Sequence, residues 1–258
     1  MTAEDAEGAA RLGIERREAG PVARLVLARP AKRNALTPRM IDALAAHARA
    51  LAEDEALRAV VISGEGDGFC GGADLATLAA LDAETGRAFI TALHHAIDAV
   101  RRLPVPTIAV LRGPCLGAGM ELAAACDIRL AADGLVAGMP EVRVGVPSVI
   151  EACLLPRLIG WGAAADLVLT GRTVDGAEAL RLGFVQALVP ADALDDAVEA
   201  RLAAILAAEP AAIRAQKVVL RGWEAEDRPA IEASIEAFAR VCGTGAPARA
   251  IAALRAGR

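Results

Sequence analysis

The chain has no tyrosine, and its aromatic residues are two Trp and four Phe among 258 residues. A surface that stacks nucleic-acid bases is not expected from so few rings. The formal net charge of -5 likewise excludes the basic field of a general nucleic-acid binder. Although 55% of the residues are hydrophobic, no uncharged run reaches the roughly eighteen residues a membrane helix needs. The apolar surplus therefore points to a large core or to subunit interfaces. The five cysteines, at 70, 115, 126, 153 and 242, form no CxxC pair and no zinc-like Cys/His spacing. An odd number without a framework fits a reducing compartment. The N-terminal MTAEDAEGAARLG is acidic and lacks the basic and apolar segments of a signal peptide. The expectation is a soluble cytoplasmic protein with no metal, no nucleic-acid partner and no membrane.

Other absences narrow the chemistry. There is no GxSxG elbow and no phosphate-binding P-loop. Glu65 and Asp67 in GEGDG lack the ligand spacing of a calcium loop, and GEGDGF has the wrong spacing for a dinucleotide turn. His47, His94 and His95 fall on predicted helices without a matching Ser/Asp or metal-ligand pattern, and read as surface or packing residues.

What is present reads as an α/β chain. Residues 1–11 suggest a loose tail. Strands are expected at Ile14–Glu18 and Val22–Leu27, joined by the turn Ala19-Gly20-Pro21. Thr37-Pro38 opens a helix whose Met40, Ile41, Leu44, Ala48 and Leu51 recur at helical spacing. A short strand at Ala59–Ser63 leads into the Gly-rich GEGDGFCGGADL and a helix. A further helix, Ala83–Arg102, carries Phe89, Leu93, Ile97 and Val100 on one face. Strands are expected at Pro106–Leu111, Asp127–Ala131, Leu135–Met139 and Phe184–Val189. Helices are expected at Ile150–Ile159 and 163–169, and from Asp175 to Gly183. From residue 191 the pattern is helical throughout, roughly 191–207, 210–221, 227–241 and 247–256. The division is a core over 12–190 and a helical region over 191–258.

One stretch organises the rest: GPCLGAGME, residues 113–121. It follows an apolar strand and precedes a buried helix expected to begin near Leu122. Gly113, Gly117 and Gly119 permit close approach of another molecule to the main chain, and the free N–H groups of a helix start favour negative charge. Glu121 there is either a helix-start charge or a catalytic group, and the stretch alone does not decide between them.

The segments RPAKRNAL, FCGGADL, Pro104 to Glu121 with AACD after it, and MPEVRVGVP stand in the order and spacing of the crotonase family, the enoyl-CoA hydratase/isomerase superfamily, as does TGRTVDGAEALRLGFVQALVP. The resemblance spans about residues 14–240. It implies an α/β spiral of repeated ββα units, followed by a helical C-terminal region that builds homotrimers, often paired into homohexamers. It also implies an acyl-CoA thioester substrate, with coenzyme A as part of the substrate and no separate cofactor. The family's two oxyanion-binding backbone N–H groups fall on Ala73 and Ala118, and its two hydratase glutamates fall on Glu121 and Glu141. By that resemblance Glu121 holds and activates water, and Glu141 is the principal proton-transfer residue. The CoA-binding positions carried over are Lys32, Arg33, Gly71, Ala73, Asp74 and Leu75, Asp74 being also a helix cap.

The chain departs from the family in two places. Where small residues are common after the conserved Pro, it has Val149, Ile150 and Glu151, and Ser148, Val149 and Glu151 are the candidate acyl-pocket residues. Glu151 reads either as a helix-start acid or as a third carboxylate that reshapes acyl specificity or joins the acid–base set. The acidic-Gly motif common near the C-terminus is replaced by GTGAPARAIAAL, which puts CoA contacts from that segment in doubt, although Arg255 could still serve. The leading expectation is hydration of a 2-enoyl-CoA to a 3-hydroxyacyl-CoA. Alternatives are double-bond isomerisation, C–C cleavage, thioester hydrolysis, or a non-catalytic acyl-CoA-binding or RNA-binding scaffold.

Overall fold

A strand, a Gly-rich step, a second short pairing and a helix recur along this chain, and the recurrence builds the molecule. The computed structural model describes residues 9–222 and 228–256; the first eight residues of the expected N-terminal tail lie outside them. β1 (Ala9–Glu15) and β2 (Val22–Ala28) form an antiparallel hairpin, with Ala9 opposite Ala28 and Glu15 opposite Val22. The first strand starts before the expected Ile14 because it pairs along the whole of β2. Its outer residues carry no apolar run that could have signalled this.

α1 (Pro38–Glu53) begins as expected: Thr37 accepts the Met40 N–H at 3.3 Å, and Pro38 occupies the first turn, where no donor is needed. β3 (Ala59–Gly64) then joins β2 in parallel. The Gly-rich turn leads to α2 (Leu75–Ala79), capped by Asp74, and to α3 (Ala83–Arg101), which starts in a reciprocal Asp82/Thr85 capping box. β4 (Thr107–Leu111), buried on both faces, continues the parallel sheet. β5 (Pro114–Leu116), α4 (Ala118–Ala124), β6 (Ile128–Ala132) and β7 (Val136–Gly138) follow. The helix expected near Leu122 thus begins at Ala118.

The expected helix Ile150–Ile159 is two pieces. A 3-10 turn, Ile150–Leu154, passes into α5 (Leu155–Ile159), with Pro156 in the first turn. The first piece begins at Ile150, which has a φ of 41°. α6 (Trp161–Thr170), β8 (Thr173–Asp175) and α7 (Gly176–Arg181) come next, the last capped by Asp175. Only β9 (Ala187–Val189) of the expected Phe184–Val189 strand is extended. The Phe184 and Val185 amides close the preceding helix on Ala179 O instead. The C-terminal helices are α8 (Leu194–Ala207), α9 (Pro210–Gly222), α10 (Arg228–Gly243) and α11 (Ala246–Ala256).

The strands make two sheets: a six-stranded sheet ordered β1-β2-β3-β4-β6-β9, and a three-stranded sheet ordered β5-β7-β8. An isolated bridge, Cys70 to Cys115, adds a rung to the small sheet from the turn after β3. Each turn of the chain thus contributes a strand to the large sheet, a rung to the small one, and helix: the ββα spiral. Alternation along the strands feeds two cores. Val60 and Ile62 face the main core with α1 and α3, whereas Ala59 and Val61 face Leu194, Val198 and Leu202 of α8. α9 is pinned by Lys217, whose Nζ lies 2.6 and 2.7 Å from the two carboxylate oxygens of Asp127. α10 packs on α3 and on the 150–154 turn, and α11 packs on α2 and on the 3-10 turn Glu141–Val144. Among the described residues no helix is long and apolar enough to cross a membrane.

Candidate active site

Where the two Gly-rich turns meet, a mostly apolar cleft opens, with about 560 Å³ of empty space. Its walls include Gly71, Gly72, Ala73 and Leu75 from the first turn, Gly117, Ala118 and Glu121 from the second, and Glu141, Val146 and Val149 from the segment after β7. The turns touch closely. A Cβ added to Gly72 would lie 2.9 Å from Leu116 O and 3.8 Å from Ala118 N. Three main-chain donors of the two turns are committed: Gly71 N–H to Arg33 O at 2.7 Å, Asp74 N–H to Leu36 O at 2.9 Å and Gly117 N–H to Gly138 O at 2.9 Å. Among the described residues, no such bond engages the Ala73 or Ala118 N–H. Ala73 and Ala118 both line the cleft.

The second turn can be this tight only with glycine at two points. Gly117 has a φ of 52°, and a Cβ on it would lie 2.5 Å from Glu141 Oε1. A Cβ on Gly119 would lie 2.5 Å from Cys70 O. All seven residues of α4 are buried, Glu121 among them.

Both glutamates expected from the sequence face this cleft. Burial drives the Glu121 carboxyl well above the ordinary carboxylate range, and the charges of Glu141 and Glu151 push it further. The Ala152 N–H, 3.1 Å from Glu121 Oε1, opposes this. Burial also raises Glu141, to about 7, against the Ser148 hydroxyl that donates to its Oε2 at 2.9 Å. Both carboxyls are thus held above the ordinary carboxylate range, and the two titrate as one coupled pair.

The departure segment 148–152 proves to be the seat of both carboxyls, through the Ser148 hydroxyl and the Ala152 amide. Val149 lines the cleft. Ser148 and Glu151 are not among its wall residues. Glu151 is fully buried behind it, its Oε1 2.7 Å from His94 Nδ1. The segment receives a second tether from the C-terminal region: the Ile150 N–H donates to Ser234 Oγ of α10 at 3.0 Å. His94, expected to be a surface or packing residue, is instead joined to the site. Phe238 of α10 lines the cleft, as do Phe89, Ile90 and Leu93 of α3. The sequence reading did not single out Ser234 or Phe238 as site residues. Phe238 lay in a recognised helical stripe, but nothing local said where that stripe would dock.

Lys32 and Arg33 are exposed and lie outside the cleft wall. Their loop packs against the first turn, because Arg33 O receives the Gly71 amide. Asp74 acts first as a cap, accepting the Ala76 and Thr77 amides at 3.0 Å, and pairs with Arg29 at 2.7 Å. Burial works against its charge, yet these partners hold its carboxyl below the usual value. Leu75 is a partly exposed wall residue. Arg255 lies exposed on α11.

Residues 17–242 match the family model described as enoyl-CoA hydratase/isomerase. A probable enoyl-CoA hydratase of Mycobacterium tuberculosis is 40% identical over 207 residues, which is 78% of either chain. A crystal structure of an enoyl-CoA hydratase/isomerase from Xanthobacter autotrophicus Py2 superposes with a TM-score of 0.85 at 30% identity, covering 97% of this chain and 98% of that one. A putative enoyl-CoA hydratase from Thermobifida fusca YX, solved in complex with acetoacetyl-CoA, is 35% identical with a TM-score of 0.75, covering 96% of this chain and 97% of that one. With the ββα spiral, the paired turns and the two cleft glutamates in place, the chain belongs to the enoyl-CoA hydratase/isomerase family, the crotonase superfamily.

Proposed function

We propose that this protein hydrates a 2-enoyl-CoA to a 3-hydroxyacyl-CoA. The observation that carries the proposal is that two carboxyls, the buried Glu121 and the half-buried Glu141, share one apolar cleft with Ala73 and Ala118, whose amides have no main-chain acceptor among the described residues. Adding water to an α,β-unsaturated thioester places charge on the thioester oxygen. Two preorganised N–H groups stabilise that charge, and losing one such donor typically costs on the order of a hundred to a thousandfold in rate. Water oxygen bonds to C3 while C2 takes a proton. One carboxyl must therefore be ionised to accept the water's proton, and the other must be neutral to supply the proton for C2. General acid–base assistance of this kind contributes roughly a hundred to ten thousandfold.

A pair holding a single proton satisfies both needs. That proton belongs to the coupled pair. In the roles the family resemblance implies, Glu121 holds and activates the water and Glu141 is the principal proton-transfer residue. The acyl chain lies along Phe89, Leu93, Val149 and Phe238, and the CoA phosphates lie toward the exposed Lys32 and Arg33 beside the Gly71 turn. No cofactor enters the scheme beyond the CoA that arrives with the substrate. Exposed Trp161 and Leu169 on α6 and Val218 on α9 offer apolar surface for association of copies as a homotrimer or homohexamer.

The test is incubation with crotonyl-CoA and longer enoyl-CoAs, following the enoyl-thioester absorbance. Loss of that absorbance with formation of the 3-hydroxy product supports hydration, and no loss with any chain length refutes it. Double-bond isomerisation is the second reading, favoured by the Glu141 carboxyl, raised to about 7 beside the apolar cleft, which suits one-base proton transfer. Glu121→Gln separates the two. Hydration by two carboxyls loses at least a hundredfold in kcat in this variant, whereas one-base isomerisation of a 3-enoyl-CoA survives.

A further inference from the structure

The segment Ser148–Ala152 holds both glutamates, yet its backbone is strained. Ile150 is β-branched and has a φ of 41°, a conformation that costs of the order of 1–3 kcal/mol and persists only where the surroundings over-determine it. The surroundings here supply two polar tethers from distant helices: Ser234 Oγ from α10 on the Ile150 amide, and His94 Nδ1 from α3 on the Glu151 carboxylate. A buried ion pair is weak evidence for stability in itself, since desolvating two charged groups offsets their attraction. This one is also incompletely satisfied, because Glu151 Oε2 has no hydrogen-bond partner among the described residues. Structural pairs are normally satisfied more fully. The place of the pair gives a better reason for it: the residue after Glu151 donates its amide to Glu121, and the charge of Glu151 reaches the same carboxyl.

We propose that His94 and Glu151 form a positioning pair for the two glutamates: their ion pair clamps the 148–152 segment onto Glu121 and Glu141 and sets the charge that Glu121 meets from behind. The inference rests on the two-carboxylate reading of the cleft. The charged groups that face Glu151 are His94, Asp98 and Arg101 from α3 and Glu121 from α4, while Arg102 acts on His94. α5 carries Arg157. α10 presents Ser234 to the segment, with Glu232 exposed and Glu236 paired to Arg87. Burial works against charge on His94, but its bond to Glu151 prevails and raises it above its ordinary value. Burial holds the Glu151 carboxyl above its ordinary range against the same bond, and the charge of Glu151 pushes the Glu121 carboxyl up.

Glu151→Gln tests this. It keeps a side chain of the same shape beside His94 and removes the anion. The expected result is a fall in kcat on the order of ten- to a hundredfold with little change in KM, and an alkaline limb of the kcat profile moved to lower pH by roughly half a unit to one unit. A merely structural residue would not move that limb. Should Glu151→Gln fail to fold, His94→Gln retains a donor without the charge and should show the same separation of kcat from KM. Wild-type kcat and pH profile in the variant that folds would overturn the inference. Two NMR titrations judge the pair without reference to turnover. The chain has three histidines, so the His94 midpoint is resolvable and should fall in Glu151→Gln; the Glu121 carboxyl 13C titration should move to lower pH. Unmoved midpoints overturn the pair even where hydration is observed. A wild type inactive on every enoyl-CoA, with both midpoints moving, would instead overturn hydration and leave the pair standing.

Discussion

Replacing Glu141 by Gln should stabilise this protein at pH 8 and leave it nearly unchanged at pH 4, while removing most of its activity. The folded protein raises the Glu141 carboxyl from 4.5 to about 7 through burial. Below 4.5 the folded and unfolded states both carry the proton, so its stabilising contribution is fully present. As pH rises toward 7 the unfolded state gives up its proton while the folded state retains it, and the contribution is progressively lost. Above 7 the folded protein holds a buried anion that the unfolded chain would leave in water. The difference between 4.5 and about 7 corresponds to a ceiling of about 3.4 kcal/mol. Glu141 is only half-buried beside the open cleft, which reduces this to roughly 1–2 kcal/mol.

For a chain of this size 1 kcal/mol moves the melting temperature by about 2–4 °C. Thermal unfolding of Glu141→Gln should thus run about 2–8 °C above wild type at pH 8 and coincide with it at pH 4. Gln retains an oxygen for the Ser148 hydroxyl, so the comparison isolates the charge. In the same preparations kcat should fall roughly a hundred to ten thousandfold. A difference in melting temperature that is equal at the two pH values, or larger at pH 4, would refute the claim that Glu141 is held away from its charged form.

The two Gly-rich turns give two further predictions. Ala118→Pro removes one main-chain donor at the first position of α4, where proline is tolerated; kcat should fall by about a hundred to a thousandfold with the circular dichroism spectrum retained, and an unaltered kcat would exclude that amide from the oxyanion site. Gly117→Ala places a Cβ 2.5 Å from Glu141 Oε1 on a backbone with a φ of 52°. It should cost about 1–3 kcal/mol in urea unfolding and on the order of a hundredfold in kcat, because Glu141 has to move.

Much of this site was legible because its signals are local. A glycine that must carry a positive φ, such as Gly117, marks a tight turn, and a glutamate inside an apolar run, such as Glu121, marks itself. The helices of the first two-thirds were equally plain, since Thr37, Asp82 and Asp175 cap them and apolar stripes fill them. The small sheet was harder to read. β5 and β8 have three residues each, too few for an alternating pattern. The 150–159 segment read as one helix because local propensity gives no warning that Ile150 will take a left-handed conformation. His94 and Ser234 bond to this segment, and both lie far away in the chain. The same distance hid His94 itself. A histidine on a helix with no partner nearby in sequence reads as packing until Glu151 arrives beside it through the fold.

The small sheet also explains why two turns and a glutamate from three separate segments converge. Cys70 bridges Cys115 in parallel, and Cys115 pairs in parallel with Ala137. Parallel rungs send their chains out of the sheet at the same end. Just beyond Cys70 lies Ala73, beyond Cys115 lies Ala118, and beyond Ala137 lies Glu141. The Gly117 amide, bonded to Gly138 O at 2.9 Å, locks the second of these exits to the third. The Ala73 and Ala118 amides and one carboxyl are therefore set by register, each a few residues past a rung. Glu121, one turn further along α4, inherits the same register. A sheet of three-residue strands stabilises little by itself. Its consequence is positional, because a parallel ladder holds three otherwise independent loops at a fixed mutual spacing while the large sheet and the helices supply the burial that keeps the ladder in place.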